Sequence, residues 1–459
     1  MKWDNVHIIG IGGISMSGIA KMLLNRETIV TGSDIKENAQ IEELKERGVK
    51  VYIGHQKSNI NKPQAVVYTN AIDKDNIELQ TARDRKIKIY KRAEFIAELF
   101  KNKKTIAITG THGKTTTTSM LSSIFITAGR DPSVMIGGNL DILDGNIKNG
   151  TGSYFITEAD ESDGSLTFFD PKYAVITNIE LDHFDYYKNE KELINKFKEF
   201  AKKIPEDGGL VIGSKVLKNY PELKDLKKNY YKYGLTNQYF TAHQIDLKNF
   251  KSSFELFIKG KKTDTIKLKV PGLHNILNAL AAYAISHLAG LDSRDIKRGL
   301  AAYQGVRRRF EKKGTVKGAM IIDDYAHHPT EIISTLQTAA RLKKRKLYII
   351  FQPHRYSRTI NLLKEFSESF DRADELILTD IYAASEKPIR EVSSEKLYKL
   401  IEKRKIKNKL NLKIKLMSDF TKIKKYLKKK LKEDDILITM GAGDVYKIGE
   451  DILGDPDEK

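Results

Sequence analysis

Short apolar runs recur along this chain, and each is followed by a glycine or polar turn and then by apolar residues at helical spacing. Val6–Ile9 leads into Gly10–Gly13 and a helix through Ile19, Met22 and Leu23, and Ile29–Thr31 ends in Gly32-Ser33-Asp34. Val49–Ile53 and Ala65–Tyr68 are further strand candidates before the first segment closes near Phe95–Phe100. The cycle restarts at Lys103, with strands expected at Thr105–Thr109, Tyr154–Glu158 and Ala174–Asn178 and an alanine-rich helix from His274 to Leu288. It restarts again near Gly305, with Ala319–Asp323, Lys346–Phe351, Glu375–Thr379 and Ile436–Met440. Strand, turn and amphipathic helix repeated in this way predict an α/β fold with parallel sheets. A chain of 459 residues needs about three cores. The expected division is 1–99, 100–305 and 306–459, with Rossmann-like outer domains around a central phosphate-loop domain.

Composition narrows the chemistry. There is no cysteine, which excludes disulfides, thiolate nucleophiles and cysteine-bound metal. The first residues carry no export-signal pattern and no run reaches the roughly 18 apolar residues of a spanning helix, so a cytoplasmic protein without a membrane partner is expected. The formal charge of +20 raises the possibility of nucleic-acid binding. Between Glu402 and Lys432, however, 14 basic and 2 acidic residues concentrate +12 of it, interleaved with Ile406, Leu410, Ile414, Ile423 and Leu427. That is the pattern of a solvated amphipathic face, and no nucleic-acid partner is expected.

The strand ending at Thr109 runs directly into Gly110-Thr111-His112-Gly113-Lys114-Thr115-Thr116. Glycines let backbone N–H groups approach phosphate oxygens, and a helix opening at Lys114 aims its positive end at the same anion. Lys114 suits the β- and γ-phosphates, and the Thr115 hydroxyl suits Mg2+. The two glycines stand closer than in the longer GxxxxGK[ST] loop, but the lysine and threonines favour a nucleoside triphosphate over a plain strand-to-helix turn. Glu158-Ala159-Asp160-Glu161-Ser162-Asp163 crowds four carboxylates at a strand end, and Glu158 is the expected Mg2+ ligand. The next strand ends in Asn178-Ile179-Glu180-Leu181-Asp182-His183, which offers His183 as a second metal ligand. The first glycine turn, Gly10 to Gly18, has Ser15 where GxGxxG has its third glycine. It predicts a diphosphate site with Asp34 on a ribose hydroxyl, and nicotinamide dinucleotide remains the competing ligand.

Taken together, GIGGISMSGIA, GTHGKTTTT, EADESD, NIELDH, GLHNILNA, RRRF, DDYAHHPTE, FQPHRYSRT, TDIYAASE and MGAGDV resemble the Mur ligases, ATP-dependent amino-acid-adding enzymes of peptidoglycan synthesis, nearly end to end. Within that family, HHPTE and FQPHRYSRT point to the branch that adds L-alanine to UDP-N-acetylmuramate. The resemblance implies ATP and Mg2+, with the UDP-sugar at Gly12, Gly13, Met16, Ser17 and Asp34. It implies ATP at residues 110–116, His274, Asn275, Asn278 and Arg308, and Mg2+ at Thr115, Glu158 and His183. Tyr325, His327, His354, Arg355 and Arg358 correspond to the amino-acid pocket. Asn275 and Asn278 lie three apart on a helix and can read a base edge together, while Arg355 and Arg358 can grip a carboxylate. Lys114, Glu158, His183, Arg308 and His327 are the expected catalytic set, with His327 or His354 as general base. His327-His328 offers a metal pair, but no third ligand stands nearby in the sequence. A monomer or weak homodimer is expected.

Overall fold

The computed structural model describes residues 3–143, 145–162, 164–182, 186–226, 230–384 and 386–454. Three sheets succeed one another along the chain. The first is parallel throughout, in the order Lys50–Ile53, Ile29–Asp34, Asn5–Ile9, Ala65–Tyr68, Lys88–Lys91. The glycine turn leaves the carboxyl end of its middle strand, and the following helix, Ile14–Leu24, buries Met16, Ile19, Met22 and Leu23. Fully buried Glu78 ties the carboxyl ends of this sheet together, accepting from the Ser33 hydroxyl at 2.5 Å and the Asn59 amide at 2.5 Å.

The central sheet has ten strands. Its middle runs parallel, with Gly209–Gly213, Tyr173–Ile176, Lys104–Thr109 and Tyr154–Glu158 side by side. The strand that feeds the phosphate loop thus lies between the strands that feed the other two motifs. Helix Lys114–Thr127 is buried from Thr115 to Phe125 and crosses the helix Ser293–Ala302 at Gly299. A Cβ at Gly299 would stand 2.3 Å from the Ile124 Cα, so only glycine admits this crossing.

The central sheet is parallel in its middle and antiparallel at both edges. Phe240–Lys248, Lys251–Ile258 and Lys261–Leu268 form an antiparallel meander, and Ser133–Leu140 pairs antiparallel with Gly145–Lys148 at the other edge. The meander turns have positive φ at Asn249 and Phe250 and at Lys259 and Gly260, the geometry of tight two-residue hairpins. Buried Ser252, Phe254 and Leu256 alternate with more exposed residues, so a period of two was present.

The third sheet runs Glu311–Val316, Ala319–Asp324, Ile436–Met440, Leu347–Phe351, Glu375–Leu378, Lys413–Leu416, parallel except for its first strand. In the lysine-rich region, Ile414, Ile423, Leu427 and Leu431 are buried, as an amphipathic reading requires. Ile406 is the exception, 74% exposed near the end of its helix.

The domains are joined by packing. Phe100 stacks on Phe155 at 4.0 Å, with the Arg26 guanidinium 4.7 Å over Phe100. One hydrophobic core runs through both the first domain and the central one. No helix among the described residues is long and apolar enough to cross a membrane.

Candidate active site

The phosphate loop is shaped by its glycines and held by the neighbouring strand. Gly110 and Gly113 have φ of 124° and 81°, and a Cβ on Gly110 would lie 2.2 Å from the Thr177 hydroxyl oxygen. Asn178 fastens the loop with its side chain, accepting from the His112 backbone N–H at 2.8 Å and donating to the His112 carbonyl at 2.9 Å. Thr111 exchanges hydrogen bonds with the Glu180 backbone at 3.1 and 2.9 Å.

Lys114 Nζ donates to the Gly110 carbonyl at 2.7 Å and meets both oxygens of the buried Glu161 at 2.8 and 3.0 Å. Burial disfavours the ammonium, but the charges of Glu161, Asp160 and Glu158 prevail and its pKa is raised. The acidic run therefore divides its labour. Glu161 holds the lysine, while Glu158 accepts from the Thr115 hydroxyl at 3.2 Å and the Gly137 N–H at 2.6 Å. Burial raises the pKa of Glu158, so its charge calls for a cation. A hydroxyl and a carboxylate 3.2 Å apart are hard oxygen donors of the kind Mg2+ takes. The residues present fit that ion. His183 and Asp163 lie outside the described residues.

Of the other expected ATP residues, Asn278 is buried against Gly113, where a Cβ would stand 2.6 Å from its Oδ1. Asn275 turns instead to its own main chain, donating to the Pro271 carbonyl at 2.7 Å. The two amides thus face different partners. His274 is 3.0 Å from the Ser334 hydroxyl of the third domain, and burial lowers its pKa to about 4. Beside it, Pro271, Gly272 and Leu273 face Ser334, Thr338 and Arg341 across a cleft open to solvent. Thr116 is buried in the first helical turn.

Arg308 is directed away from the phosphate loop. Its guanidinium bonds Asp323 at 3.1 Å and the Gly441 carbonyl at 2.7 Å and lies 4.5 Å over Tyr446. The reason is local: Arg308 and Phe310 both have positive φ, 62° and 51°, which turns successive side chains of RRRF in different directions. Arg309 faces the central domain, 3.7 Å from Glu331, whose carboxylate lies 3.1 Å from His112 of the phosphate loop. Buried Asp324 pins the turn by accepting from the Phe310 and Ala326 N–H groups at 3.1 and 2.7 Å, and burial raises its pKa to about 6. Sequence reading missed Arg309, Asp324 and Glu331, although all three stand inside motifs it singled out.

The amino-acid set gathers at the carboxyl ends of the third sheet. His327 Nδ1 donates to the Tyr325 carbonyl at 3.0 Å, and its ring lies 5.9 Å from that of His354, which stacks on Tyr382. Burial holds both imidazoles neutral, His327 near 3 and His354 near 4. Arg358 corrects the expected two-arginine fork. Its Nε and NH2 bond buried Asp182 of the central domain, each at 3.1 Å, leaving NH1 beside His354 at 3.2 Å. Arg355 precedes the helix Tyr356–Asn361 with φ of 71°, so it does not share the helical face of Arg358; its guanidinium is 3.9 Å from Glu386.

In the first domain the turn consumes part of its own chemistry. Gly12 N–H donates to Asp34 at 2.9 Å, and the other Asp34 oxygen takes the Ile35 N–H at 2.8 Å. Met16 belongs to the core, and the Ser17 hydroxyl donates back to Ile14 at 3.0 Å. Gly13 is the exposed member of the turn. A crevice that sequence reading missed lies between this domain and the central one, lined by Thr69, Asn70, Lys91, Arg92, Ser165 and Phe168.

His112 joins the domains electrostatically. Its Nε2 is 3.0 Å from Glu180 and its Nδ1 3.1 Å from Glu331. Burial disfavours its charge, but the carboxylates win and raise its pKa to about 9. A basic group raised on folding contributes stability that is complete below its unfolded pKa of about 6.5 and is lost as pH climbs through the folded value. Buried His274, His327, His328 and His354 have lowered values and weaken the fold below about 6.5 instead. Thermal melts of wild type and His112→Gln should therefore differ most near pH 6.5 and converge by about pH 9. A constant gap across that window contradicts the assignment.

Comparison with known proteins matches this arrangement along the whole chain. Profiles described as the Mur ligase family catalytic domain, the Mur ligase middle domain and the Mur ligase glutamate ligase domain match residues 5–104, 108–286 and 308–443. The chain is 46% identical over 450 residues to the UDP-N-acetylmuramate–L-alanine ligase of Clostridium acetobutylicum, covering 98% of this chain and 97% of that one. Against the ligase of the same name from Clostridium botulinum it is 44% identical over 451 residues, covering 98% and 97%. The solved UDP-N-acetylmuramate–alanine ligase of Thermotoga maritima superimposes with a TM-score of 0.82 at 28% identity, covering 98% of each chain. The chain belongs to the Mur ligase family.

Proposed function

We propose that this Mur ligase couples ATP cleavage to amide formation between L-alanine and the lactyl carboxylate of UDP-N-acetylmuramate, in the cytoplasm, as a step of peptidoglycan synthesis. The observation that carries this reading is the phosphate loop, with Lys114 and Thr115 facing Glu161 and Glu158, in a chain 46% identical to an L-alanine ligase nearly end to end. The domains divide at 99/100 and 305/306, in keeping with the three sheets. The UDP-sugar lies across the first glycine turn and the crevice of Lys91 and Arg92, whose charges suit a diphosphate. The adenine takes the cleft beside His274, and the phosphates reach past Asn278 to the loop.

An amine cannot expel oxide from a carboxylate at neutral pH, so the carboxylate must be activated. Transfer of the γ-phosphoryl group to it gives an acyl phosphate, and attack by the alanine amine then releases phosphate. Lys114 exchanges Glu161 for the transferred phosphoryl oxygens, and Arg309 rather than Arg308 stands on the side from which a second cation can reach them. Thr115 and Glu158 would hold Mg2+, with His183 the further ligand expected from the sequence, and the ion would supply positive charge to the developing phosphate oxygens. Arg358 NH1 and Arg355 orient the alanine carboxylate. Neutral His327 or His354 accepts the amine proton. Closure of the third domain on the central one excludes water that would hydrolyse the acyl phosphate.

ADP release measured with a panel of amino acids tests this reading. Release is expected only with UDP-N-acetylmuramate present, and fastest with L-alanine. Release that ignores the UDP-sugar, or that favours glutamate or a diamino acid, would overturn it.

A further inference from the structure

His327 and His328 lack a third metal ligand in the sequence, but the fold supplies two groups to His328 from the central domain. His328 Nδ1 is 3.5 Å from Glu180 Oε2, and the Nε2 of His112, on the phosphate loop, is 3.0 Å from the same oxygen. Bonds of about 2.0–2.1 Å to Zn2+ place tetrahedral ligand atoms about 3.3–3.4 Å apart, so both spacings are close to those of a filled site. One ligand atom from each of the three residues falls within 4.8 Å of the others.

Two further observations bear on whether this is a ligand site. His328 is 5% exposed, its Nε2 has no hydrogen-bond partner among the described residues, and its Nδ1, the atom that faces Glu180, accepts a long bond of 3.4 Å from the Thr330 N–H, so this imidazole is weakly satisfied by protein alone. The outer groups are those a metal site needs. Glu331 lies 3.1 Å from His112 Nδ1, the carboxylate–histidine relation that fixes a ligand ring, and the Thr330 hydroxyl donates to Glu180 at 2.7 Å. An ion at His328 Nδ1 would displace the long bond from the Thr330 N–H.

We infer that His112, Glu180 and His328 form a second metal site, for a divalent transition ion of the Zn2+ class, that staples the phosphate loop to the third domain. Two imidazoles and one carboxylate are a borderline-soft set that selects Zn2+, Co2+ or Ni2+ over Mg2+, and three protein ligands leave a coordination position open. On binding, the ion replaces the proton on His112 Nε2 that faces Glu180, which leaves to solvent, while the Nδ1 proton stays on the Glu331 side. It then bridges residues of the central and third domains, as the His112–Glu331 and Thr330–Glu180 hydrogen bonds already do. The site shares no ligand with Thr115 and Glu158, so it stands or falls apart from the ligase reading.

Zn2+ titration of the full chain against a chromophoric chelator, with Mg2+ in millimolar excess, tests this. One equivalent should bind with Kd on the order of 1 μM or tighter. His328→Gln and Glu180→Gln should each weaken it at least ~100-fold, Glu331→Gln about 10-fold, and Glu158→Gln should leave it in place. Co2+ should show the visible absorption of a tetrahedral ion in wild type and lose it in His328→Gln, and Zn2+ should raise the wild-type Tm. Binding unchanged in the His328, Glu180 and Glu331 variants, binding lost in Glu158→Gln, or octahedral Co2+ alone would overturn the inference.

Discussion

Lys114→Ala should lose at least ~10³-fold in kcat for amide formation while UDP-N-acetylmuramate still binds, because the lysine is the proposed partner of the transferred phosphoryl group and the other cation of the loop, His112, is held between Glu180 and Glu331. It should also lower Tm. Removing the ammonium leaves Glu161, 1% exposed, as a buried carboxylate without its cation, a change that costs several kcal/mol. The two effects separate in the double variant Lys114→Ala/Glu161→Gln, which should regain much of the lost Tm and none of the lost turnover. Calorimetric binding of the UDP-sugar confirms that the first domain is intact. Recovery of turnover together with stability would mean that Lys114 serves only to neutralise Glu161.

The second large effect concerns the bridge between Asp182 and Arg358, both nearly fully buried and drawn from different domains. Breaking one partner of such a pair costs about 3–5 kcal/mol, because the other charge remains desolvated. Arg358→Lys keeps the charge but loses the planar geometry that bonds Asp182 twice and still presents NH1 beside His354. It should raise KM for L-alanine by about 10–100-fold and leave KM for the UDP-sugar within about 3-fold. Asp182→Asn should move the same constant in the same direction, since Asp182 acts by positioning Arg358. Equal changes in both substrates' KM would place the bridge in general stability instead.

Much of the scaffold was legible because its signals are local. The strands at Ala65–Tyr68, Tyr154–Glu158 and Ile436–Met440 fall where continuous apolar runs predict buried parallel strands. The meander of residues 240–268 was not read, because its lysine-rich outer face hides a period of two behind charge. The strand Lys413–Leu416 escaped for the same reason. At the site, Gly110, Gly113, Lys114 and Thr115 were readable, since a phosphate loop is built from consecutive residues.

What eluded the sequence was direction. Arg308 and Arg309 are neighbours with similar chemistry, and only the left-handed backbone at Arg308 and Phe310 decides which one faces the loop. Met16, Ser17 and Asp34 sit inside the expected diphosphate motif, yet the turn and the core use them. The pairing of Arg358 with Asp182 spans 176 residues, and nothing local to either motif announces it. Glu331 stands in the first turn of its helix, and its contact with His112 exists only because two domains meet there.

The account depends on a carboxylate being activated by the nucleotide bound at residues 110–115. Synthesis with UDP-N-acetylmuramate carrying 18O in its lactyl carboxylate follows that oxygen directly. One labelled oxygen is expected in the inorganic phosphate for each amide formed, with ADP as the other product. Unlabelled phosphate, or label recovered in AMP, would contradict it.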